Sequence, residues 1–189
     1  MDYLSDEGFY KRIAYATSLH EVLELILNTI QHRWGFESFA VQLLDTGGRH
    51  LQLYKSWGHE ELSEEALSIV SQRVSLDSNP SISAKVLQGN CPFYAQNMPE
   101  KDWSNLPKAD SEALRIWGIV DNLIIPVLCD SRPLGVIHLF TTQKTLKLKR
   151  SEIHEISDFV DNLAHIIQAE KQREDLEFFH QQYREVGSS

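Results

Sequence analysis

The chain has 189 residues, of which 42% are hydrophobic and 24% are charged, which is enough for one globular domain with its own core. The net charge of −9 disfavours nonspecific binding to nucleic acid or anionic membranes, because both need clustered cations, and no apolar run approaches the ~20 residues of a membrane span. Cys91 and Cys129 form no disulfide scaffold and the acidic N-terminus is no signal peptide, so we expect a reduced, soluble, cytoplasmic protein.

The N-terminal part predicts two helices. A short helix is expected within residues 2–16. Ser18 and Glu21 then form a capping box, in which Ser18 caps the second helix and Glu21 reaches back. That helix should end near Gly35, because glycine favours the position after a helix. Its apolar residues recur at helical spacing and form one stripe: Leu19, Val22, Leu23, Ile26 and Ile30.

Alternating apolar residues then predict a strand at 39–44, a turn at 45–48 and a second strand at 51–55. A helix is expected at 60–74.

The middle of the chain predicts short elements around a polar loop. Asn79 before Pro80 is typical of an N-cap followed by proline at the first helical position, and this short helix should end at Gly89. A short strand is expected at 91–94 and a short helix at 111–117. The polar residues 95–110 between them predict a lid or binding loop.

Residues 121–142 predict a β-hairpin broken at 130–133. Pro126 lies inside the first apolar run and cannot donate to a ladder, so an edge or a bulge is expected there. Gly135 indicates tight packing or a bend in the second run.

A final helix should run from Ser151 to about Tyr183. Its apolar residues step by 3 and 4 up to Ile167, which is coiled-coil spacing, and the pattern resumes out of phase at Leu176.

This order of elements, together with the short sequence motifs given below, resembles a GAF domain over residues 18–168. GAF domains commonly show an apolar-Pro-Leu strand, a turn and then Leu/Ile-Gly-Val in the next strand. They also show a short helix, a glycine and a strand that carries an aromatic pair. In this chain the corresponding motifs are Ile125-Pro126-Val127, Leu134-Gly135-Val136, Lys85-Val86-Leu87, Gly89 and Phe93-Tyr94. The resemblance implies an α+β fold, with a central antiparallel sheet of five or six strands, helices on one face and a loop-covered ligand pocket on the other. Residues 1–17 would be an N-terminal helix and 169–189 a C-terminal signalling helix or linker.

The resemblance also bounds the ligand. Cyclic-nucleotide-binding members carry Asn-Lys, then Phe, then Asp-Glu after the last strand, and the corresponding stretch here, TTQKTLKLKRSEI, lacks this signature. Bilin-binding members usually attach the chromophore through a cysteine that is often followed by histidine, which fits neither Cys91-Pro92 nor Cys129-Asp130. We therefore assign no cofactor.

Candidate ligand-binding residues follow from where the family places its pocket. The aromatic candidates are Phe93, Tyr94, Trp103 and Trp117, for which core packing is the alternative. Asn97, Asp102 and Asp110 are candidates for hydrogen bonding, with turn or cap roles as the alternative. His138 and the two cysteines are interpreted as core residues. No catalytic constellation and no zinc-type spacing is visible, so no catalytic residue and no metal site is expected.

The leading hypothesis is a small-molecule-sensing regulatory domain without catalysis of its own. It would pair as a homodimer and relay its state through the last helix to an effector domain beyond the chain. The dimer prediction rests on the two helical stripes, since one sheet face was expected to bury only part of them. Two alternatives stay open: a relay module with no ligand, and a thiol-dependent reductase like the free methionine sulfoxide reductases, which are GAF-like enzymes.

Overall fold

The computed structural model of the protein describes residues 6–58, 64, 68, 72–77, 81–100, 104 and 106–186. The α-helices in these ranges are α1 Asp6–Tyr15, α2 Leu19–Trp34, α3 Ile82–Gly89, α4 Lys108–Ile116 and α5 Arg150–Val186. The strands are β1 Ser38–Leu44, β2 His50–Trp57, β3 Val74–Ser75, β4 Phe93–Ala95, β5 Asp121–Cys129 and β6 Arg132–Thr141. A single 3-10 turn, Met98–Glu100, follows β4.

The strands form one six-stranded sheet in the order β3-β2-β1-β6-β5-β4. Every pairing is antiparallel, and the hairpins β1–β2 and β5–β6 lie side by side through the pairing of β1 with β6. This confirms the predicted α+β class and the number of strands.

Strands β1, β6 and β5 place their side chains alternately on the two faces of the sheet, because successive residues of a strand point to opposite sides. We call these the helix face and the cavity face. The helix face includes Val41, Leu123 and Ile137, which pack with α1, α2 and α5 in the main core. The cavity face includes Phe140, Ile124 and Val136, in two smaller clusters with residues of α3 and α4. Two short helices thus cover much of the face on which only loops were expected.

Local signals explain the helix ends. The Ser18 side chain accepts a hydrogen bond from the Glu21 amide at 3.2 Å, and Gly35 ends α2 with φ of 80°, as predicted. The Glu21 carboxylate reaches back to the Thr17 amide and hydroxyl rather than to the Ser18 amide.

The cap of α3 differs from the prediction. Ser81 caps this helix by accepting from the Ala84 amide at 3.1 Å. The predicted cap, Asn79, and Pro80 lie outside the described residues, as does most of the helix expected at 60–74.

The apolar stripes of α2 and α5 are buried within the chain, except for the partly buried Ile153, and this contradicts the premise of the dimer prediction. Leu19 and Ile26 on α2 are fully buried, and so are Val160 and Ile167 on α5. Both stripes join one core with the helix face of the sheet. None of the described helices combines the length and apolarity that crossing a bilayer requires.

The β5–β6 hairpin turns on two residues, Asp130 and Ser131, whose φ angles of 49° and 64° suit the tight turns that connect twisted strands. Arg132 and Pro133, which were expected in the break, already belong to β6. Pro126 lies beyond the three residues of β5 that pair with β4, and the register shifts between Val127 and Leu128. The sequence predicts an edge or a bulge at Pro126. The structure places Pro126 in the part of β5 that runs past β4, and the register shift of the bulge follows directly.

Gly135 on β6 pairs with Leu43 on β1 and lies close to the β1 backbone. A Cβ atom at this position would stand 2.1 Å from the Gln42 carbonyl oxygen, whereas one at Gly89 would meet nothing within 4 Å. We expect Gly135→Ala to lower the free energy of unfolding by about 1–3 kcal/mol, because the backbone of β1 must shift. Gly89→Ala should leave it within about 1 kcal/mol of wild type. Urea unfolding of both variants is the measurement, and equal stabilities would contradict the close approach.

Candidate functional site

A small, partly open cavity of about 50 Å³ lies between the cavity face of the sheet and the helices α3 and α4. Strands β1, β5 and β6 supply its floor, and α3, α4 and the residues that follow α4 supply its walls. The lining residues are Gln42, Ile82, Ser83, Asp110, Ala113, Leu114, Trp117, Ile119, Asn122, Ile124 and His138. The lining is therefore mostly apolar with a few inward polar groups, the composition typical of small-ligand sites.

His138 lies at the centre of the polar floor. Its Nε2 atom is 3.0 Å from the Ser83 hydroxyl on α3 and 3.3 Å from the Gln42 Oε1 atom on β1. Burial lowers the pKa of His138 from 6.5 to about 4, so the imidazole is neutral near pH 7. A neutral imidazole held by two polar neighbours can recognise a ligand by hydrogen bonding.

Asn122 supplies a buried acceptor atom to the lining of the cavity. The residue is 2% exposed, and its Oδ1 atom has no hydrogen-bond partner among the described residues. A buried acceptor without a partner costs about 1–3 kcal/mol, so such an atom in a native structure needs an explanation. Because Asn122 lines the cavity, a bound molecule with an N–H or O–H donor would satisfy it.

Asp110 joins the two helices of the cavity wall. Its Oδ2 atom accepts a hydrogen bond from the Ile82 amide at 3.0 Å, across from α4 to the start of α3. Burial raises the pKa of Asp110, while this hydrogen bond and the nearby Lys85 act in the opposite direction. Asp110 therefore couples the positions of α3 and α4.

Trp117 forms an aromatic wall. Its ring stacks on Phe140 of β6, with centroids 5.4 Å apart and an interplanar angle of 10°. Trp117 was predicted to reach the pocket, and it does line the cavity. Phe93, another predicted residue, packs on both clusters of the cavity face without lining the cavity itself.

Of the other predicted residues, Asp110 lines the cavity, whereas Tyr94 and Asn97 lie away from it. Tyr94 packs on the helix face, where its hydroxyl lies 3.2 Å from the Asp121 carboxylate. The Asn97 amide also donates to Asp121, at 2.9 Å. Asp102 and Trp103 lie outside the described residues.

Sequence reasoning missed the polar floor. Gln42, Asn122 and His138 each interrupt an otherwise apolar strand, and this was the available signal. Only the register brings them together, since Asn122 pairs with Phe140 and Ile124 pairs with His138. The contact with Ser83 spans 55 positions in sequence and has no local signature.

A larger and more open groove of about 540 Å³ runs between the β1–β2 hairpin and the second half of α5. Here the Tyr54 hydroxyl donates to the Glu174 carboxylate at 3.0 Å, and burial raises the pKa of Tyr54. Phe178 and Phe179 line the same groove and are exposed. The groove thus joins the sheet to the part of α5 beyond the core.

Comparisons place the chain among known proteins. The family model described as "GAF domain" matches residues 16–168. No curated protein sequence matches significantly. Among solved structures, residues 122 to 287 of a methyl-accepting chemotaxis protein align with a TM-score of 0.67 at 16% identity, over 87% of this chain and 97% of that chain.

Two further structures share the fold. The GAF domain of a two-component sensor histidine kinase from Bacillus halodurans gives a TM-score of 0.65 at 15% identity, over 84% of this chain and 99% of that one. Free methionine-R-sulfoxide reductase from Neisseria meningitidis, in complex with its substrate, gives 0.62 at 12% identity, over 88% of each chain. At these identities the likeness concerns the fold.

The buried imidazole predicts a specific pH dependence of stability. As the pH falls below 6.5 the unfolded chain protonates His138, whereas the folded chain does so only near its pKa of about 4. The free energy of unfolding is therefore intact above pH 6.5 and falls across this window, by about 3 kcal/mol in full. His138→Gln keeps a hydrogen-bonding side chain but removes the titration.

We expect wild type to lose about 3 kcal/mol more stability than His138→Gln between pH 7 and pH 4, measured by urea unfolding. Asp110 titrates in both proteins and so cancels in the difference. Parallel stability curves would show that His138 is not held neutral.

Proposed function

Because the chain belongs to the GAF domain family, we propose that it is a sensory regulatory domain that binds a small molecule in the cavity beneath α3 and α4. The observation that carries this proposal is the buried Oδ1 atom of Asn122, a residue that lines the cavity, because this atom lacks a hydrogen-bond partner among the described residues. The similarity to domains of a chemotaxis protein and a sensor kinase supports the sensory role. The domain itself performs no catalysis.

The lining suggests the chemistry of the ligand. An uncharged molecule with one N–H or O–H donor would satisfy Asn122, and a flat apolar part would contact Trp117. Among the described lining residues there is an Asp but no Lys or Arg, which makes the cavity unsuited to phosphates. Cyclic nucleotides, which also lack their sequence signature here, are accordingly poor candidates.

The cavity is far smaller than the roughly 300–1,000 Å³ typical of ligand pockets. A ligand larger than a few heavy atoms therefore needs α4 to move outward. Asp110 ties α4 to the start of α3, so such a movement would involve both helices. This gives ligand binding a structural consequence, which a sensor requires.

The alternative of a thiol-dependent reductase finds less support. That reaction needs a cysteine beside the substrate, and none of the described lining residues is a cysteine. Cys129 belongs to the core on the opposite face of the sheet, and Cys91 is exposed. Thiol-dependent turnover of free methionine sulfoxide would nevertheless revive it.

The output of the domain is proposed to pass through α5. Beyond Ile167 this helix leaves the core through a charged segment with ion pairs such as Lys171–Asp175 and Arg173–Glu170. An exposed apolar stripe follows, made of Leu176, Phe179 and Tyr183. We propose that this stripe pairs two copies of the chain and leads to an effector domain.

The ligand proposal predicts that one substitution stabilises the fold and at the same time abolishes ligand binding. Asn122→Leu removes the unsatisfied acceptor and fills the cavity, so we expect it to raise the free energy of unfolding by about 1 kcal/mol. It should also abolish the rise in melting temperature that a ligand causes. The measurements are native mass spectrometry of the purified protein for a co-purified molecule, then thermal shift with that molecule or with a panel of small neutral metabolites.

Asn28→Leu makes the same change on the exposed side of α2 and should keep any thermal shift. The proposal fails if Asn122→Leu retains the full shift. If no molecule shifts either protein, a relay module without a ligand becomes the better account.

The dimer proposal predicts the molecular mass of the protein in solution. Wild type should give about twice the chain mass of 21.7 kDa by light scattering at micromolar concentration. The double variant Leu176→Glu/Tyr183→Glu should be monomeric with unchanged unfolding, because both side chains are exposed and apart from the core. Tyr15→Glu, on the equally exposed α1 surface, is the matched control and should remain dimeric. A monomeric wild type would exclude the pairing.

A further inference from the structure

Three metal-binding side chains meet where the β5–β6 hairpin turns beside α5. Cys129 ends β5, Asp130 begins the turn, and His165 comes from the middle of α5. The Cys129 sulfur lies 3.0 Å from His165 Nδ1, and His165 Nε2 lies 3.8 Å from the Asp130 carboxylate. One ligand atom from each residue lies within 4.8 Å of the other two.

The fold fixes the backbones of all three residues. Cys129 pairs with Arg132 across the two-residue turn, and Asp130 holds the left-handed conformation that this turn needs. On α5 the neighbouring residues Leu163 and Ala164 are buried in the core, which holds the start of the His165 side chain in place. The His165 and Asp130 side chains themselves are exposed, so an ion from solvent has access.

The ligand types select the ion. A thiolate and an imidazole favour zinc and similar late transition metals over magnesium or calcium, which prefer oxygen ligands. With Zn–S of about 2.3 Å and Zn–N of about 2.0 Å at tetrahedral angles, sulfur and nitrogen stand about 3.5 Å apart. The observed 3.0 Å between the Cys129 sulfur and His165 Nδ1 needs only a small outward adjustment to admit an ion bound through Nδ1, and the exposed Asp130 side chain, which lies beside Nε2, must turn toward that ion. The three protein ligands leave a fourth position for water.

We propose that Cys129, Asp130 and His165 form a binding site for one Zn²⁺ ion. Binding replaces the thiol proton, so Cys129 coordinates as thiolate and one H⁺ is released to solvent. Cys129 and His165 are 36 positions apart in sequence, which is why no zinc-type spacing is visible. The site faces away from the ligand cavity and does not depend on the proposed sensory function.

An occupied site would join the tip of the hairpin to α5. These elements meet through core packing, and a metal ion would add coordinate bonds between β5 and α5. Because the ion binds the folded chain, it should raise the melting temperature in proportion to its occupancy. A thiol–imidazole hydrogen bond alone would give no response to metal.

The experiment uses tag-free, reduced protein stripped of metal with a chelator. Co²⁺ is titrated anaerobically, and thiolate coordination is read from the sulfur-to-cobalt charge-transfer absorbance in the near ultraviolet. Zn²⁺ is then added to displace Co²⁺ and measure relative affinity. We expect one Co²⁺ per chain, full displacement by Zn²⁺ and a raised melting temperature.

Variants locate the site. Cys129→Ser should abolish the charge-transfer band, and His165→Gln should weaken binding at least tenfold, since even outer partners of metal ligands contribute about 10–100-fold. His165 is exposed, so His165→Gln tests the proposal even if the buried Cys129→Ser misfolds. The matched controls are Cys91→Ser and His154→Gln, both at exposed positions, and both should bind like wild type.

The proposal is overturned if wild type shows no charge-transfer band. It is equally overturned if the band survives His165→Gln unchanged or disappears in Cys91→Ser. Loss of Asp130 as a ligand, in Asp130→Asn, should leave the band but lower the affinity for Zn²⁺.

Discussion

The buried carboxylate of Asp121 holds together the segments on which both the cavity and the outgoing helix depend. The residue is fully buried, and its oxygens accept hydrogen bonds from the Asn97 amide at 2.9 Å and the Leu146 amide at 2.8 Å. The Tyr94 hydroxyl lies 3.2 Å from the same carboxylate and also accepts from the Leu148 amide. A buried acidic group is tolerated only when it is satisfied in this way. Asp121 thereby fastens β4, the start of the 3-10 turn and the approach to α5 onto β5.

The position of Asp121 in its strand explains how one residue serves two regions. The Asp121 side chain lies on the helix face of the sheet, whereas its neighbour Asn122 lines the cavity on the other face. A shift of one residue in the register of β5 would exchange these two polar groups and the apolar residues after them. The large core on the helix face fixes the register, because Leu123, Ile125 and Val127 must all be buried there. Packing of the core on the helix face therefore fixes where the polar residues of the cavity floor lie on the opposite face.

The sequence predicted most of the fold because its local signals agree with its packing. The cap at Ser18, the turn at Asp130 and the long apolar stripe of α5 each combine a local preference with burial. The cavity was less predictable, since Trp117 lines it but Tyr94 faces the other side of the sheet. Two neighbouring strand residues such as Phe93 and Tyr94 lie on opposite faces of the sheet, and sequence alone does not say which of them lies on the cavity face. The His138–Ser83 and Cys129–His165 contacts join distant parts of the chain and depend wholly on the register and helix placement.

In the proposed function, the route from the cavity to α5 follows from this same arrangement. Asn122 would contact the ligand, Asp121 is covalently next to it, and Asp121 holds the Leu146 amide shortly before α5 begins. Spatial continuity alone does not establish coupling, since a relay needs an element with two arrangements of similar energy. In the proposed function, the charged stretch of α5 around Glu174 is the candidate for such an element. It lies between a fully buried stripe and an exposed one and touches the sheet through the Tyr54–Glu174 hydrogen bond. Because this polar contact is weaker than the core packing before it, a change in the approach to α5 would displace the helix there first.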